Sequence, residues 1–208
     1  MLLDLGDAFD KVEHTELLQA LRRMNVPEKY VKAIQEIYAK PTFRVEMEGE
    51  QPNWTRQVTG IRQGCPLSPY LFIIVMTCLF HDIHNNDTLK FKPHRVIGMT
   101  VDQILYADDT ICISEDEAAM EILLRAIENE GRKYGLRLNK QTCDVIHFGT
   151  ARRIRFGDNT LVPLQHEVKY LGCNLNDRAD PEKEVFKRRN DCVVTLNKLH
   201  IFFYNSDN

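Results

Sequence analysis

The chain has no surplus of positive charge: 27 lysines and arginines face 30 aspartates and glutamates, a net charge of −3 over 208 residues. That excludes a whole-surface electrostatic footprint for nucleic acid. Local basic patches remain effective, because at about 0.15 M salt charges more than roughly 8 Å apart are largely hidden from one another. The candidates are Arg152, Arg153 and Arg155, then Lys187, Arg188 and Arg189, and the scattered Lys90, Lys92, His94 and Arg95. Long apolar runs are also missing. The longest, Leu71 to Phe80, is interrupted by Thr77 and Cys78 and falls short of the roughly 20 residues that span a bilayer, so no membrane partner is expected. No basic leader followed by an apolar segment opens the sequence, and the expected location is intracellular, nuclear or cytoplasmic, rather than secreted. The six cysteines, Cys65, Cys78, Cys112, Cys143, Cys173 and Cys192, include no Cys-x-x-Cys pair, which reads as reduced thiols rather than a disulfide or zinc framework. His81 and His84 lack a third ligand in their segment, and no zinc is assigned. Repeats and low-complexity linkers are absent.

What the sequence does hold is a pair of adjacent carboxylates, Asp108 and Asp109, at a tight turn between Gln103–Tyr106 and Thr110–Ile113. Both flanking runs are short, apolar and β-prone, so they read as the strands of a hairpin. Two unit charges about 4 Å apart repel by roughly 4 kcal/mol at an effective dielectric near 20. Holding them together calls for a cation, and the hard Mg²⁺ ion, which takes oxygen ligands and keeps several waters, suits the pair best. A third carboxylate, Asp4, lies in another short apolar run at Met1–Leu5 and is followed by Ala8-Phe9-Asp10.

Between these segments the pattern alternates. Leu17, Leu18, Leu21 and Met24 recur at helical spacing, and Pro27 starts a second helix, carrying Tyr30, Val31, Ile34, Ile37 and Tyr38, that ends before Pro41. Two runs, Thr42–Met47 and Trp54–Thr59, flank the turn signal Glu48-Gly49-Glu50 and form a hairpin. Ser68 caps and Pro69 opens an apolar helix to about His84, buried on nearly every side. Ser114 and Glu117 make a capping box for a helix whose apolar face is Ala119, Ile122, Leu123, Ala126 and Ile127. A last helix, about Ala179 to Tyr204, carries Val185, Val193, Leu196, Leu199 and Phe202 among many charges.

Gly60-Ile61-Arg62-Gln63-Gly64-Cys65-Pro66-Leu67-Ser68-Pro69 lies between the Asp4 segment and the Asp108-Asp109 turn. In this order the three segments resemble motifs A, B and C of reverse transcriptases, specifically the non-LTR, LINE-type enzymes with Ala-Phe-Asp, Gln-Gly-x-Pro-Leu-Ser-Pro and Tyr/Phe-Ala-Asp-Asp. Tyr134–Asn139 and Cys143–Phe148 resemble motif D, and Val168-Lys169-Tyr170-Leu171-Gly172 is similar to motif E. Two departures stand out. Thr142 occupies the place where the family usually has a lysine that serves the leaving pyrophosphate, with Lys140 as a candidate substitute, and Asp7 stands where a basic residue is frequent.

The resemblance implies an α+β fold, a palm-type antiparallel sheet backed by helices as in right-hand polymerases, with the start of a helical thumb. It divides the chain into a palm at residues 1–176, with the fingers truncated, and the beginning of a thumb helix at 177–208. The implied activity is RNA-directed DNA polymerisation: two-metal transfer of deoxynucleotides to a primer 3′-hydroxyl. Asp4, Asp108 and Asp109 would be the catalytic and metal-binding residues, with two Mg²⁺ ions about 3.5 to 4 Å apart and Mn²⁺ as a substitute. Phe9, five residues after Asp4, would exclude a ribose 2′-OH. Gln63 and Gly64 would lie beside the incoming nucleotide, where a missing side chain admits close backbone approach. Tyr106, Tyr170, Leu171 and Gly172 would contact the primer, and Asp10 would take a structural hydrogen bond. The implied partners are an RNA template, a DNA primer, deoxynucleoside triphosphates and a larger polyprotein or complex supplying fingers and thumb. Without those parts the 208 residues are expected to fold yet polymerise poorly. The competing reading is a catalytically silent, palm-derived binding or structural subunit, which truncation favours and the intact Asp4, Asp108 and Asp109 oppose.

Overall fold

A computed structural model describes residues 1–44, 53–85, 94–96, 99–101, 103–149 and 153–204. The Glu48-Gly49-Glu50 turn, Lys90, Lys92 and Arg152 lie outside the described residues. The elements run β1 (Leu2–Asp4), α1 (Ala8–Lys11), α2 (His14–Arg23), α3 (Glu28–Ala39), β2 (Thr42–Phe43), β3 (Thr55–Arg56), α4 (Ser68–His84), β4 (His94–Val96), β5 (Met99–Val101), β6 (Gln103–Tyr106), β7 (Asp109–Cys112), α5 (Glu117–Lys133), β8 (Glu167–Tyr170), β9 (Cys173–Asn176) and α6 (Glu182–Tyr204). The named strand pairs are antiparallel, and with the helices they make an α+β fold. Among the described residues no helix is long and apolar enough to cross a membrane.

The chain divides into two compact units: Met1–Cys143 with Arg153–Pro163, and Asp144–Arg152 with Leu164–Asn208. In the first unit β1, β7 and β6 form one sheet in that order. Strand alternation sends Leu3, Thr110 and Cys112 inward, where they are buried. Helix α4 packs against α2 and α5. Its Leu71, Phe72, Val75, Leu79 and Ile83 are buried, while Tyr70 and Ile73 remain exposed, so the helix is covered on most sides but keeps one open apolar strip. In α2, Leu17 and Leu21 are buried, and Met24, at its C-cap, is exposed; in α3, Val31, Ile34 and Tyr38 are buried and Tyr30 and Ile37 are exposed.

Four helix starts differ from the sequence reading: α3 begins at Glu28 with Pro27 as its cap and α6 at Glu182 rather than near Ala179, and two others turn on side-chain hydrogen bonds. Ser68 is already the first residue of α4, and its Oγ donates to the Arg62 carbonyl at 2.5 Å. Leu67, in a helical conformation, occupies the cap position. The hydroxyl ties the preceding loop down, and Pro69 fills the position where a missing N–H costs nothing. At α5 the cap is Asp116, whose carboxylate accepts from the Ala118 N–H at 3.1 Å. Ser114 bonds the Asp116 backbone instead, shifting the start by two residues. Ala119, Leu123, Ala126 and Ile127 are buried as expected from the spacing, whereas Ile122 is exposed and Met120 and Leu124 take up core positions.

An ionic cluster joins α2, α4 and the end of α5. Arg23 donates to both oxygens of Asp82, and the Tyr134 hydroxyl donates to Asp82 Oδ2 at 2.8 Å. The Arg23 hydrogen bond is the main cause that holds the Asp82 carboxyl below the usual carboxylate range, against an opposing effect of burial. Because the folded-state pKa lies below the unfolded one, ionisation of Asp82 favours folding. The contribution is complete above about pH 4, the unfolded value, and disappears as pH falls through the depressed folded value. Asp82→Asn is expected to cost about 1–2 kcal/mol at pH 7 and to flatten the acid limb of stability against pH, measured by urea unfolding at several pH values.

The second unit pairs β8 with β9. Arg188 of α6 donates to the Gly172 carbonyl at 2.6 Å, and Glu184 accepts the Asn174 N–H at 3.1 Å. Asn176 accepts the N–H groups of Arg178 and Asp180, fixing the turn that leads into α6. Val185, Val193, Leu196 and Leu199 of α6 are exposed.

Candidate active site

The β1–β7–β6 register brings the carboxylates together. Asp4 is the cross-strand partner of Asp109, and Tyr106 is the partner of Asp109 on the other side. Ala107 and Asp108 form the two-residue connection from β6 to β7, with Ala107 at φ 53°. Positive φ at the first central residue suits the twist of a tight hairpin. Asp108 and Asp4 are half-buried and Asp109 is exposed. Partial desolvation of the carboxyl by its surroundings first, then the charges of Asp108 and Asp4, pushes Asp109 above its ordinary value. None of the three pairs with a basic side chain among the described residues.

Asp4 is anchored from a second direction. Leu5 bridges Leu138, the Asn139 N–H donates to the Asp4 carbonyl at 2.9 Å, and the Gly6 N–H donates to Arg137 O at 3.1 Å. The Thr142 hydroxyl donates to Asp4 Oδ2 at 2.5 Å. The sequence marked Thr142 only as a missing lysine; its role as a donor to Asp4 needed the fold. Lys140 is paired away from Asp4. Its ammonium lies 3.2 Å from Glu128 and 2.7 Å from Asp158, over the Phe156 ring, where it holds the Phe156 segment against α5.

Among the described residues no group of three or more His, Cys, Asp or Glu side chains is already drawn into a closed metal site. The donor set that β1 and the β6–β7 turn present is nonetheless all carboxylate oxygen, the chemistry a hard divalent cation takes. Such sites borrow waters and substrate phosphates, and an open arrangement of repelling carboxylates is consistent with that.

The Gly60–Pro69 loop docks on the chain just after Asp4. The Gly60 and Ile61 N–H groups donate to Val12 O at 2.8 Å and Phe9 O at 2.6 Å. Thr59 donates to the Asp10 carbonyl at 3.1 Å, and His14 Nε2 lies 2.8 Å from Gly60 O. Gln63 donates to Asp10 Oδ2 at 3.2 Å, which joins a nucleotide-site candidate to the residue expected to act structurally. Gly60 has φ +91°, and a Cβ there would lie 2.6 Å from the Asp10 carbonyl oxygen. The sequence offered no sign that this glycine, rather than Gly64, was the crowded one. Gly64, at φ +81°, has nothing within 4 Å of a Cβ and borders open space. Phe9 is half-buried, its ring stacked on Phe72 of α4 with centroids 4.5 Å apart.

The remaining candidates divide between units. Tyr106 is exposed beside the carboxylates. Tyr170, Leu171 and Gly172 belong to the second unit, at the β8–β9 turn. Leu171 and Gly172 both have positive φ, 46° and 79°, and Leu171 is exposed. Positive φ at both central residues is the geometry of a two-residue hairpin turn; Gly172 adopts it freely, and Leu171, a branched apolar residue, does so at a cost of roughly 1–2 kcal/mol.

An antiparallel sheet with carboxylates at adjoining strand ends, backed by helices, defines a polymerase-type palm. The chain matches the reverse transcriptase (RNA-dependent DNA polymerase) family over residues 1–175, and it belongs to that family. It is 28% identical over 188 residues to the Retrovirus-related Pol polyprotein from type-1 retrotransposable element R2 of Nasonia vitripennis, covering 84% of this chain and 18% of that protein. It is 27% identical over 210 residues to the RNA-directed DNA polymerase from mobile element jockey of Drosophila funebris, covering 95% of this chain and 22% of that protein. These relatives are non-LTR retrotransposon proteins, and the chain spans about a fifth of their length. Apo telomerase from Candida tropicalis has a similar fold, with TM-score 0.57 at 15% identity, over 86% of this chain and 31% of that one.

Proposed function

We propose that this chain is the palm of an RNA-directed DNA polymerase that adds deoxynucleotides to a primer 3′-hydroxyl on an RNA template. The observation that carries this reading is the register that sets Asp4 across from Asp109 with Asp108 in the adjoining turn. A divalent cation, Mg²⁺ or in its place Mn²⁺, held by Asp4, Asp108 and Asp109 supplies Lewis-acid stabilisation of the phosphoryl oxygens and of the attacking hydroxyl. Asp4 and Asp109 provide fixed negative charge from a rigid sheet, so little reorganisation accompanies reaction. Gln63 and the open space at Gly64 border the nucleotide, and Tyr106 flanks the primer terminus. Tyr170, Leu171 and Gly172 hold the primer from the β8–β9 turn. Residues 1–176 are read as palm and 177–208 as the first helix of a thumb. A larger polypeptide supplies the remaining grip on template and triphosphate. The silent-subunit reading is not favoured, because every carboxylate of the site is retained.

Phe9 sets sugar choice in this reading. Its stack on Phe72 fixes the ring as a wall, and Phe9→Val removes most of it. The expected result is a rise of about tenfold or more in ribonucleotide over deoxynucleotide incorporation, corresponding to relief of one steric clash of about 1–2 kcal/mol. An unchanged ratio assigns Phe9 to the core. The function itself is tested by primer extension on an RNA template, with Mg²⁺ and deoxynucleotides, by a polypeptide containing these residues. Extension that disappears in Asp4→Asn is expected; extension that survives it refutes the site.

A further inference from the structure

The turn from Asn139 to Thr142 clasps Asp4 by its backbone and by its side chain. Asn139 N–H donates to the Asp4 carbonyl, Cys143 Sγ lies 3.9 Å from the same oxygen, and the Thr142 hydroxyl reaches Oδ2 of the carboxylate. The Asn139 carbonyl, 3.2 Å from Thr142 Oγ1, is a second acceptor for the same hydroxyl proton; the charged Asp4 oxygen, 2.5 Å away, is the nearer and stronger one. A carboxylate with Asp109 as its cross-strand partner, and with Asp108 in the next turn, is repelled by both neighbours. A single strong donor on one oxygen resists that displacement. Hydrogen bonds to a charged group are among the stronger ones a protein makes.

We infer that Thr142 is a positioning residue for Asp4: its hydroxyl holds Oδ2, sets the rotation of the carboxylate, and leaves Oδ1 to a divalent cation. This inference rests on the proposed reading of Asp4, Asp108 and Asp109 as the metal site. It also gives a physical content to the departure at position 142, where a cation on a long side chain is replaced by a short neutral donor. Threonine supplies a hydrogen bond to Asp4 without adding a charge. Thr142 is exposed, so its replacement leaves the core intact.

The test is titration of the whole chain with Mn²⁺ alone, following the free-ion electron paramagnetic resonance signal, with thermal melts recorded for every variant. Thr142→Val keeps the shape and removes the donor; Thr142→Ala removes donor and methyl; Thr142→Ser restores the donor alone. The expected result is about tenfold weaker binding in the valine and alanine variants, the loss of one charge-assisted hydrogen bond, with serine within about twofold of the parent chain. Parent-like affinity in both the valine and alanine variants overturns the inference, and so does a serine variant as weak as valine, which would assign the effect to the methyl group. Asp108→Asn separates the two levels of the argument. If it binds Mn²⁺ as the parent does, the metal-site reading itself fails; if it loses binding while Thr142→Val does not, only the positioning role fails.

Discussion

Asp108→Asn is expected to reduce primer extension by about a thousandfold or more while leaving the thermal midpoint unchanged or slightly higher. The size follows from the role proposed for the residue: removing one charge from a preorganised electrostatic site costs several kcal/mol in the transition state, and each 1.36 kcal/mol is tenfold in rate. The effect on stability has the opposite sign. Asp108 is one of the charges that push the Asp109 carboxyl upward, so neutralising it relieves repulsion in the folded chain. Single-turnover extension on an RNA template, beside a urea melt of the same preparation, reads both. A large loss of stability in Asp108→Asn would mean that the turn is held by this side chain for structural reasons, and the loss of activity would then say nothing about chemistry.

Gly60→Ala is expected to be among the most damaging single methyl groups in the first unit, beside Gly135, whose added Cβ would meet the Lys11 carbonyl. Two costs add. The left-handed backbone at φ +91° disfavours any side chain, and the new Cβ meets main-chain atoms of Asp10, which cannot rotate away as a side chain would. A loss of about 2–4 kcal/mol is expected, measured by the urea midpoint. The damage has a functional direction too. Displacing Gly60 from Asp10 breaks the Thr59 and His14 bonds and shifts Gln63 from Asp10 Oδ2, so KM for deoxynucleotide should rise. Gly64→Ala meets no atom and carries only the backbone cost.

The carboxylates were legible in the sequence because their signal is local: short β-prone runs ending in Asp, with the hairpin turn between two of them. Strand alternation then leaves the register little freedom, since a one-residue slip would turn Leu3 and Cys112 out of the core. Helices α2 to α5 were legible from apolar spacing, and their boundaries less so. The α5 cap moved from Ser114 to Asp116 because the Ser114 hydroxyl takes the Asp116 N–H, which lies before the helix, while the Asp116 carboxylate takes the Ala118 N–H in its first turn, a choice settled by geometry at the scale of one hydrogen bond. What the sequence could not give was any pairing across a long separation. The Thr142 bond to Asp4 joins residues 138 positions apart, and the crowding of Gly60 depends on a backbone carbonyl, which has no letter in the sequence. The partners of Lys140 were hidden for the same reason, because Glu128 and Asp158 reach that lysine only once α5 and the Phe156 segment are folded together.

The central claim is that Asp4, Asp108 and Asp109 hold the divalent cation of a nucleotidyl-transfer site. It is tested most directly by anomalous scattering from crystals of the chain grown with Mn²⁺ and a deoxynucleoside triphosphate. The account predicts anomalous density within coordination distance, about 2.0–2.4 Å, of Asp4 and Asp108 carboxylate oxygens, with Asp109 adjoining and triphosphate oxygens completing the shell. Manganese bound instead at the Glu128–Asp158 cluster, or nucleotide bound with no metal at the β6–β7 turn, would contradict it.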